Sequence, residues 1–302
     1  MLDVLIRAGS FVAIILLGYL LRKVGVFRKE DFKVLSTIVL KITLPAAVIV
    51  SIANTEITPS MLILTLLGFG GGVLYMVAGY LMNLRGTREQ KAFSVLNTSG
   101  YNIGCFSLPF VQSFLGSAGV AATSLFDTGN AFVVLGGSYG VASTIKAGNG
   151  FSGKRLAKAL LTSVPFLAYL LMATLKLCRV PIPSQVVAFV QPVANANAFL
   201  AMLMIGVGFE LKAEKKNLKV LLKIVITRYA IATALALVFY NFLPFSQEIR
   251  STLVILAFSP LGASTPIFTS QLKEDVGLSS AINSVCILIS IILNVVLLMV
   301  LL

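Results

Sequence analysis

Histidine and tryptophan are both absent from this chain of 302 residues, and charged residues make up only 12% of it. Soluble proteins carry about 25% charged residues, so this sequence cannot cover an ordinary water-facing surface. The lack of histidine also removes the side chain that most often serves as a general base or metal ligand near neutral pH. These absences argue against a soluble enzyme.

Cysteine is scarce, and the three that are present form no motif. Cys105, Cys178 and Cys286 lie in or beside apolar stretches without paired or metal-like spacing, which predicts buried, inert thiols. The chain also lacks a phosphate-binding loop of the GxxxxGK[ST] form and a nucleophile elbow. We therefore expect no catalytic residue, no metal site and no cofactor, and an energy source other than ATP.

Apolar residues dominate what is present, since 58% of the chain is hydrophobic and its mean hydropathy is +0.97. A membrane-spanning helix needs about 20 mostly apolar residues, and ten runs of this kind follow one another. They cover residues 4–21, 34–53, 61–83, 92–114, 119–144, 156–176, 185–209, 220–243, 251–271 and 279–301. The sequence therefore predicts an all-α integral membrane protein with ten transmembrane helices.

The positive charges predict the orientation of these spans. The net charge of +13 would suggest nucleic-acid binding in a soluble protein, but here the bases lie in short connections, so we expect no nucleic-acid partner. The odd-numbered connections hold most of them, among others Arg22, Lys29, Arg88, Lys154 and Lys216. Because cytoplasmic loops are enriched in Lys and Arg, both termini are expected outside the cytoplasm, in an inner (plasma) membrane.

Ten spans with both termini on one side of the membrane divide naturally into two units of five. When a unit with an odd number of spans is repeated in tandem, the second copy must insert upside down. We expect one five-helix repeat in residues 1–150 and an inverted one in residues 151–302. Spans four and nine correspond in the two halves, and each contains helix breakers: Gly100, Gly104 and Pro109, and Pro260, Gly262 and Pro266. Matching broken helices indicate a transporter's binding site, whereas ordinary proline kinks are the plainer alternative.

Ionisable residues at membrane depth are costly and are candidates for function. Asp127 lies inside span five with Asn130 on the same helical face, so the pair could bind a proton or a cation. The alternative is an aspartate near its helix start, reached by water. Lys41 and Arg228 are the two buried bases, and either could attract a carboxylate or neutralise Asp127. For Arg228, near its helix start, snorkelling to the interface is favoured.

Uncharged polar side chains cluster at the two breaks. Exposed N–H groups and the dipole at a helix N-terminus favour anions, so these positions suit a carboxylate, and the alternative is hydrogen bonding between helices. Lys41 is a base that could attract the anion. The predicted substrate-binding residues are Asn97, Asn102, Gly104, Pro109, Pro260, Gly262, Ser264 and Pro266.

Several segments resemble the auxin efflux carrier family, the bacterial relatives of plant PIN auxin exporters, in the superfamily that includes bile acid–sodium symporters. Residues 102–109 resemble the N-x-G-x-x-G-x-P element of its fourth helix, with Ser107 replacing the second glycine. Span nine has Ser-Pro-Leu-Gly where a Pro-Pro type sequence is expected. Other helices are similar in LLGYLLRKVGVF, LSTIVLKITLPAAVIVSI, LFDTGNAFVV, VPFLAYLLMATLKLCRVPIP and NAFLAMLMIGVGFEL.

The resemblance implies two inverted five-helix repeats whose broken fourth and ninth helices cross near the membrane centre. It places the substrate, a carboxylate of the auxin, malate or malonate class, at Asn102, Gly104, Pro109, Pro260 and Pro266. The preferred function is a secondary active transporter of a small organic anion, which exposes this site to each side in turn. An anion channel and a membrane receptor or sensor are the alternatives. The coupling ion (proton, sodium or none) and a homodimeric assembly stay open.

Overall fold

The computed structural model describes residues 2–53, 59–148, 153–210 and 217–301, and all regular structure in these ranges is helical. The all-α prediction is therefore confirmed. π-Helical turns occupy Val39–Thr43, Ile103–Ser107 and Val133–Gly137, and a 3₁₀ turn occupies Pro59–Leu62. The α-helices are α1 (Leu2–Lys23), α2 (Asp31–Ile38), α3 (Leu44–Ala53), α4 (Ile63–Leu81), α5 (Arg88–Thr98), α6 (Leu108–Phe114), α7 (Ser117–Phe132), α8 (Ser138–Ala147), α9 (Gly153–Leu161), α10 (Val164–Leu177), α11 (Ser184–Gly208), α12 (Leu218–Phe242), α13 (Gln247–Ala257), α14 (Thr265–Gln271) and α15 (Val276–Leu301).

Seven helical segments within the described ranges are long and apolar enough to cross a membrane. They coincide with the first, second, third, fifth, seventh, eighth and tenth apolar runs of the sequence. Each of the three remaining runs is divided into two shorter helices, of which α10 is an apolar helix of 14 residues. The seven segments are Leu5–Lys23, Asp31–Ala53, Ile63–Leu81, Ser117–Ala147, Ser184–Gly208, Leu218–Phe242 and Val276–Leu301.

The sixth apolar run, predicted as one helix over residues 156–176, is interrupted after Leu161, so this part of the prediction is wrong. Ser163 starts a new helix there, because its Oγ accepts a hydrogen bond from the Phe166 N–H at 3.4 Å. Pro165 follows in the first turn of α10, where its missing N–H costs nothing. The preceding α9 exposes Lys158 and buries Leu160, as expected of a short amphipathic helix.

The three cysteines are free thiols that differ in their surroundings. Cys105 and Cys286 are buried, as predicted, whereas Cys178 is exposed. Cys178 follows the last residue of α10, so it lies at a helix end. The expectation of three buried thiols therefore holds for two of them.

The helices pack into two groups. In the first, called the panel, α1 and α3 pack on α11, and α3 also packs on α10. The second, called the bundle, consists of α4–α8 and α12–α15, with α4 on α7, α5 on α8, and α12 on α13 and α15. The panel and the bundle meet where α3 and α10 contact α7, and where α11 contacts the turn Ile103–Ser107. Their interface therefore passes beside the interrupted fourth apolar run.

Two glycines allow α4 and α7 to touch backbone to backbone. A Cβ atom on Gly129 would lie 1.8 Å from the carbonyl oxygen of Thr65, and one on Gly68 would lie 2.0 Å from that of Phe126. Small residues let membrane helices approach closely, which increases van der Waals packing where lipid supplies no hydrophobic driving force. The pair thus fixes α7, the helix that carries Asp127, against the rest of the bundle.

Gly129→Ala is expected to push α7 away from α4 and to destabilise the protein, because the added methyl group meets backbone that cannot rotate aside. Overpacking of this kind costs about 1–3 kcal/mol, so the midpoint of thermal unfolding in detergent should fall. Gly70→Ala, also on α4, is the matched control, since a Cβ there has no neighbour within 4 Å. Equal unfolding midpoints for the two variants would contradict this contact.

Candidate functional site

The fourth and ninth apolar runs are both broken by non-helical backbone. In the fourth, α5 ends at Thr98, and Gly100 adopts a positive φ of 70°, a conformation that glycine tolerates best. In the ninth, α13 ends at Ala257 and α14 begins only at Thr265. Each run resumes with a proline in its first helical turn, Pro109 in α6 and Pro266 in α14, where proline fits a helix best.

The two breaks touch each other. The N–H of Asn102 donates to the carbonyl oxygen of Pro260 at 2.9 Å, and the hydroxyls of Ser107 and Ser259 are hydrogen bonded to each other. Ser107 is the residue that replaces a glycine of the motif described above. Its hydroxyl therefore forms part of the contact between the breaks.

Arg228 of α12 binds both breaks at once. Its Nη1 donates to the carbonyl oxygens of Thr98 and, at 3.1 Å, of Gly100, and its Nη2 donates to that of Ser259 at 3.1 Å. The last carbonyls of a helix have no intrahelical partner and carry partial negative charge. One guanidinium thus satisfies oxygens at the ends of α5 and α13.

The surroundings of Arg228 overturn the expectation that it snorkels to the interface. The residue is 2% exposed, and its guanidinium carbon lies 4.7 Å from the centre of the Tyr75 ring. Its five N–H groups match several fixed carbonyls at short range, so the side chain stays inside instead of reaching for water. The buried position of this base, in contrast, is as predicted.

Asn130 of α7 holds the fourth break from the other side. Its Oδ1 accepts from the N–H of Tyr101 at 3.0 Å, and its Nδ2 donates to the carbonyl oxygen of Tyr101 at 2.9 Å. Nδ2 also donates to Oδ1 of Asp127 at 2.8 Å. One amide side chain therefore replaces both hydrogen bonds that Tyr101 loses by leaving the helix.

Asp127 connects this network to the panel. Its Oδ2 accepts a hydrogen bond from the hydroxyl of Tyr169 in α10 at 2.7 Å. The carboxyl group lies ten residues inside the helix Ser117–Phe132 and is 6% exposed. The alternative of a water-exposed aspartate at its helix start is therefore wrong.

A cavity of about 80 Å³ lies where the panel meets the two breaks. The panel contributes Leu44 and Tyr169, and the bundle contributes Asn102, Gly104 and Asp127, as well as Gly262 and Ser264 from the ninth run. A larger cavity of about 300 Å³ adjoins the same place, because Asn102 and Ala263 line both. Arg22 and Lys29, from the end of α1 and the loop after it, lie on the wall of the larger cavity.

Comparison with known proteins agrees with this architecture. Residues 10–147 match the family model described as membrane transport protein, which is that of the auxin efflux carrier family. Over somewhat less than half of its length, the chain is therefore similar to membrane transport proteins of this family. The match covers the first of the two predicted repeats almost completely and ends before residue 150.

A curated relative extends the likeness beyond this region. It is an "Uncharacterized transporter" of Methanothermobacter thermautotrophicus (strain Delta H), and it is 23% identical to the chain over 208 residues. The alignment covers 67% of this chain and 66% of the relative, so the chain spans slightly less than two thirds of that protein's length. Together with the apolar helices, the comparisons support an integral membrane protein that is similar to transporters.

Within the structure, the sequence-predicted site residues fall into three places. Asn102, Gly104, Gly262, Ser264 and Pro266 each line one or both cavities. Pro260 contributes its carbonyl oxygen to the contact between the breaks, and Pro109 is buried in the first turn of α6. Neither of these two prolines lines either cavity.

Asn97 and Lys41 lie elsewhere. Asn97 joins three helices of the bundle, since its Nδ2 donates to Thr269 Oγ1 at 3.3 Å and its Oδ1 accepts from Ser279 Oγ at 2.5 Å. Lys41 is exposed and lines neither cavity, so the expectation of a buried base is wrong for it. The outward-facing side of its helical turn carries this lysine, whereas Leu40 and Leu44 face the smaller cavity.

Two residues acquire roles that sequence reasoning missed. The sequence singled out Arg228 as a buried base but not its role, because its three carbonyl partners come from remote segments. Tyr169 gave no signal, because a tyrosine in a membrane helix is ordinary. Its importance follows only from its contact with Asp127.

Arg228→Met is expected to destabilise the transporter strongly, because it leaves three buried carbonyl oxygens without a partner. Each such loss costs about 1–3 kcal/mol, so the midpoint of thermal unfolding in detergent should fall by much more than in a control variant. Arg250→Met provides that control. Arg250 is half-buried, lies 5.6 Å from the ring of Tyr240 and donates to one carbonyl at 2.9 Å. Similar losses in both variants would argue against the binding of the two breaks by Arg228.

Proposed function

We propose that the chain is a secondary active carrier of a small organic anion, a carboxylate of the auxin, malate or malonate class, and not an enzyme. The substrate binds beside the contact between the two broken runs, and the bundle moves against the panel to expose it to each side. The observation that carries the proposal is the cavity of about 80 Å³, which is lined jointly by the panel and by both breaks. A site at a moving interface is what alternating access requires.

The proposal includes ten spans in two inverted five-helix repeats, residues 1–150 and 151–302. Helix contacts support it, because contacts of the first half have counterparts in the second. The contacts of α4 with α5 and α7 correspond to those of α12 with α13 and α15, and the contact of α6 with α7 corresponds to that of α14 with α15. Two contacts join the first half to the second, and they also correspond: the contact of α1 with α11 has its counterpart in the contact of α10 with α3. This correspondence is what an internal repeat produces.

Cavities near both ends of the helices support access from two sides. The cavity of about 300 Å³ is lined by Arg22 and Lys29, which the positive-inside rule assigns to the cytoplasm. A third cavity of about 340 Å³ is lined by Gln112, near the end of α6, and by Gln191, near the start of α11. On the predicted topology this is the outer side of a plasma membrane, where both termini also lie. Asn102 lines the cavity on the predicted cytoplasmic side and the smaller cavity beside the breaks.

The chemistry of the smaller cavity suits a carboxylate. Asn102 is 5% exposed, and within the described residues its buried Nδ2 has no hydrogen-bond partner. A buried donor without a partner is costly, and a carboxylate oxygen would satisfy it. Gly104 packs closely against the panel on the same cavity wall, since a Cβ there would lie 2.6 Å from a methyl carbon of Leu44. Lys41 has no part in this proposed site.

Asn102→Ala is expected to reduce uptake of radiolabelled carboxylates into proteoliposomes by about tenfold or more, since one hydrogen bond to a charged group is worth about 1.5–3 kcal/mol. Asn241→Ala is the matched control, because Asn241 is exposed and bonds only within α12, to the carbonyl oxygen of Leu237. Equal uptake by both variants would remove Asn102 from the site.

Two measurements distinguish the alternative functions. Stepwise currents in a planar bilayer would favour a channel, and ligand-dependent thermal stabilisation without counterflow would favour a receptor.

Asp127→Asn is expected to abolish carboxylate accumulation driven by a proton gradient but to retain counterflow exchange, because an amide cannot take up a proton. Both activities are measured in the same proteoliposomes at one pH. Asp275→Asn is the control, since Asp275 is exposed and caps the start of α15 by accepting from the Leu278 N–H at 2.8 Å. Undiminished proton-driven accumulation in Asp127→Asn would exclude Asp127 as the coupling residue, and accumulation driven by sodium alone would replace the proton with that ion.

A further inference from the structure

One buried hydrogen bond joins the two groups of helices at the cavity. The hydroxyl of Tyr169, in the panel helix α10, donates to Oδ2 of Asp127, in the bundle helix α7, at 2.7 Å. Tyr169 is 1% exposed and Asp127 is 6% exposed, so both groups are buried. Both residues line the cavity of about 80 Å³.

The two donors to Asp127 differ in what carries them. Asn130 donates to Oδ1 at 2.8 Å from the same helix, so it stays with Asp127 however α7 moves. Tyr169 belongs to the panel, so any displacement of the bundle by a few ångströms breaks its bond. The carboxyl group therefore has one permanent donor and one that depends on the relative position of panel and bundle.

We propose that the Tyr169–Asp127 hydrogen bond is a latch that couples the charge of Asp127 to the position of the bundle. Ionised Asp127 holds the panel and the bundle together through the phenol, and protonated Asp127 releases them. The inference rests on the carrier proposed above, and it assigns to Tyr169 a positioning role in its coupling.

The direction of the coupling follows from the strength of the two forms of the bond. A hydrogen bond to a charged acceptor is about twice as strong as one between neutral groups. Breaking it while Asp127 is ionised would leave a buried carboxylate with one donor fewer, whereas a protonated Asp127 loses only a neutral contact. Movement of the bundle is therefore accompanied by a proton on Asp127.

A bound substrate anion is a second reason for Asp127 to carry a proton when the bundle moves. Asn102 and Gly104 line the small cavity together with Asp127, so an ionised Asp127 would repel a carboxylate bound there. Protonation removes this repulsion at the moment when it also opens the latch. Carboxylate and proton therefore move together, in the same direction.

Few other titratable groups face Asp127 from the helices packed against α7. Cys105 lies in the turn before α6 and faces the same cavity. On α4, Tyr75 lies against Arg228 instead, and on α13, Glu248 accepts from the Gly119 N–H at 2.9 Å, two turns of α7 away. Lys158 of α9 is exposed, and α3, α6 and Val133–Gly137 contain no titratable residue.

Tyr169→Phe tests the latch, because it removes the hydroxyl and keeps the ring. Proteoliposomes with an internal pH indicator report carboxylate uptake and proton uptake together. We expect the ratio of protons to carboxylates to fall in this variant while exchange persists, and its pH profile to flatten. Tyr229→Phe is the matched control, since Tyr229 bonds Ser290 Oγ at 2.8 Å and the Cys286 carbonyl within the bundle, and its ratio should not change. An unaltered ratio and pH profile in Tyr169→Phe would overturn the latch.

A second measurement needs no substrate. Cys105 is buried and lines the cavity, so Cys178→Ala and Cys286→Ala make it the sole thiol, and its rate of maleimide labelling reports opening of the interface. In this background at one pH, Tyr169→Phe should label roughly tenfold faster, the effect of losing one hydrogen bond to a charged group, and Tyr229→Phe should not. Equal labelling rates would refute the latch. Absence of carboxylate transport in every variant would instead refute the proposed function, and labelling then decides the latch alone.

Discussion

Inside a lipid bilayer no water is available to pair with peptide groups, so each N–H and carbonyl freed by a broken helix needs a partner within the protein. This protein interrupts two helices side by side and meets the requirement with two side chains. Arg228 donates hydrogen bonds to carbonyl oxygens at the ends of α5 and α13. Asn130 accepts a hydrogen bond from the N–H of Tyr101 and donates one to its carbonyl oxygen. Without these two residues the breaks would be too costly to keep, and no cavity could form between them.

The same constraint explains why the site is held by polar contacts on one side and lined mostly by apolar side chains on the other. Within the bundle, Arg228 and Asn130 tie the breaks to α12 and α7, and a backbone hydrogen bond from Asn102 to Pro260 ties the breaks to each other. Toward the panel, the cavity wall is made mostly of apolar side chains such as Leu44 and Phe166. The hydroxyl of Tyr169 is an exception, because it binds a carboxyl group across that boundary.

The departures of this chain from its family pattern lie at the contact between the breaks. Ser107 stands where the family element has a second glycine, and Ser259 belongs to the Ser-Pro-Leu-Gly sequence of the ninth run. The structure pairs the two hydroxyls with each other. A polar residue introduced on one broken run thus finds its partner on the other, which is how buried polar groups avoid an unpaired state.

The sequence by itself determined that the chain is helical, that it lies in a membrane, and that its fourth and ninth apolar runs are broken. These properties are local, since hydropathy over about 20 residues and the positions of Pro109 and Pro266 suffice to predict them. The tertiary structure decided what each polar residue does. Lys41 and Arg228 look alike in sequence, yet one is exposed and the other binds three remote carbonyls, because burial depends on which helices pack against each face. Tyr169 and Asp127 are 42 positions apart, and only the packing of panel on bundle brings them into contact.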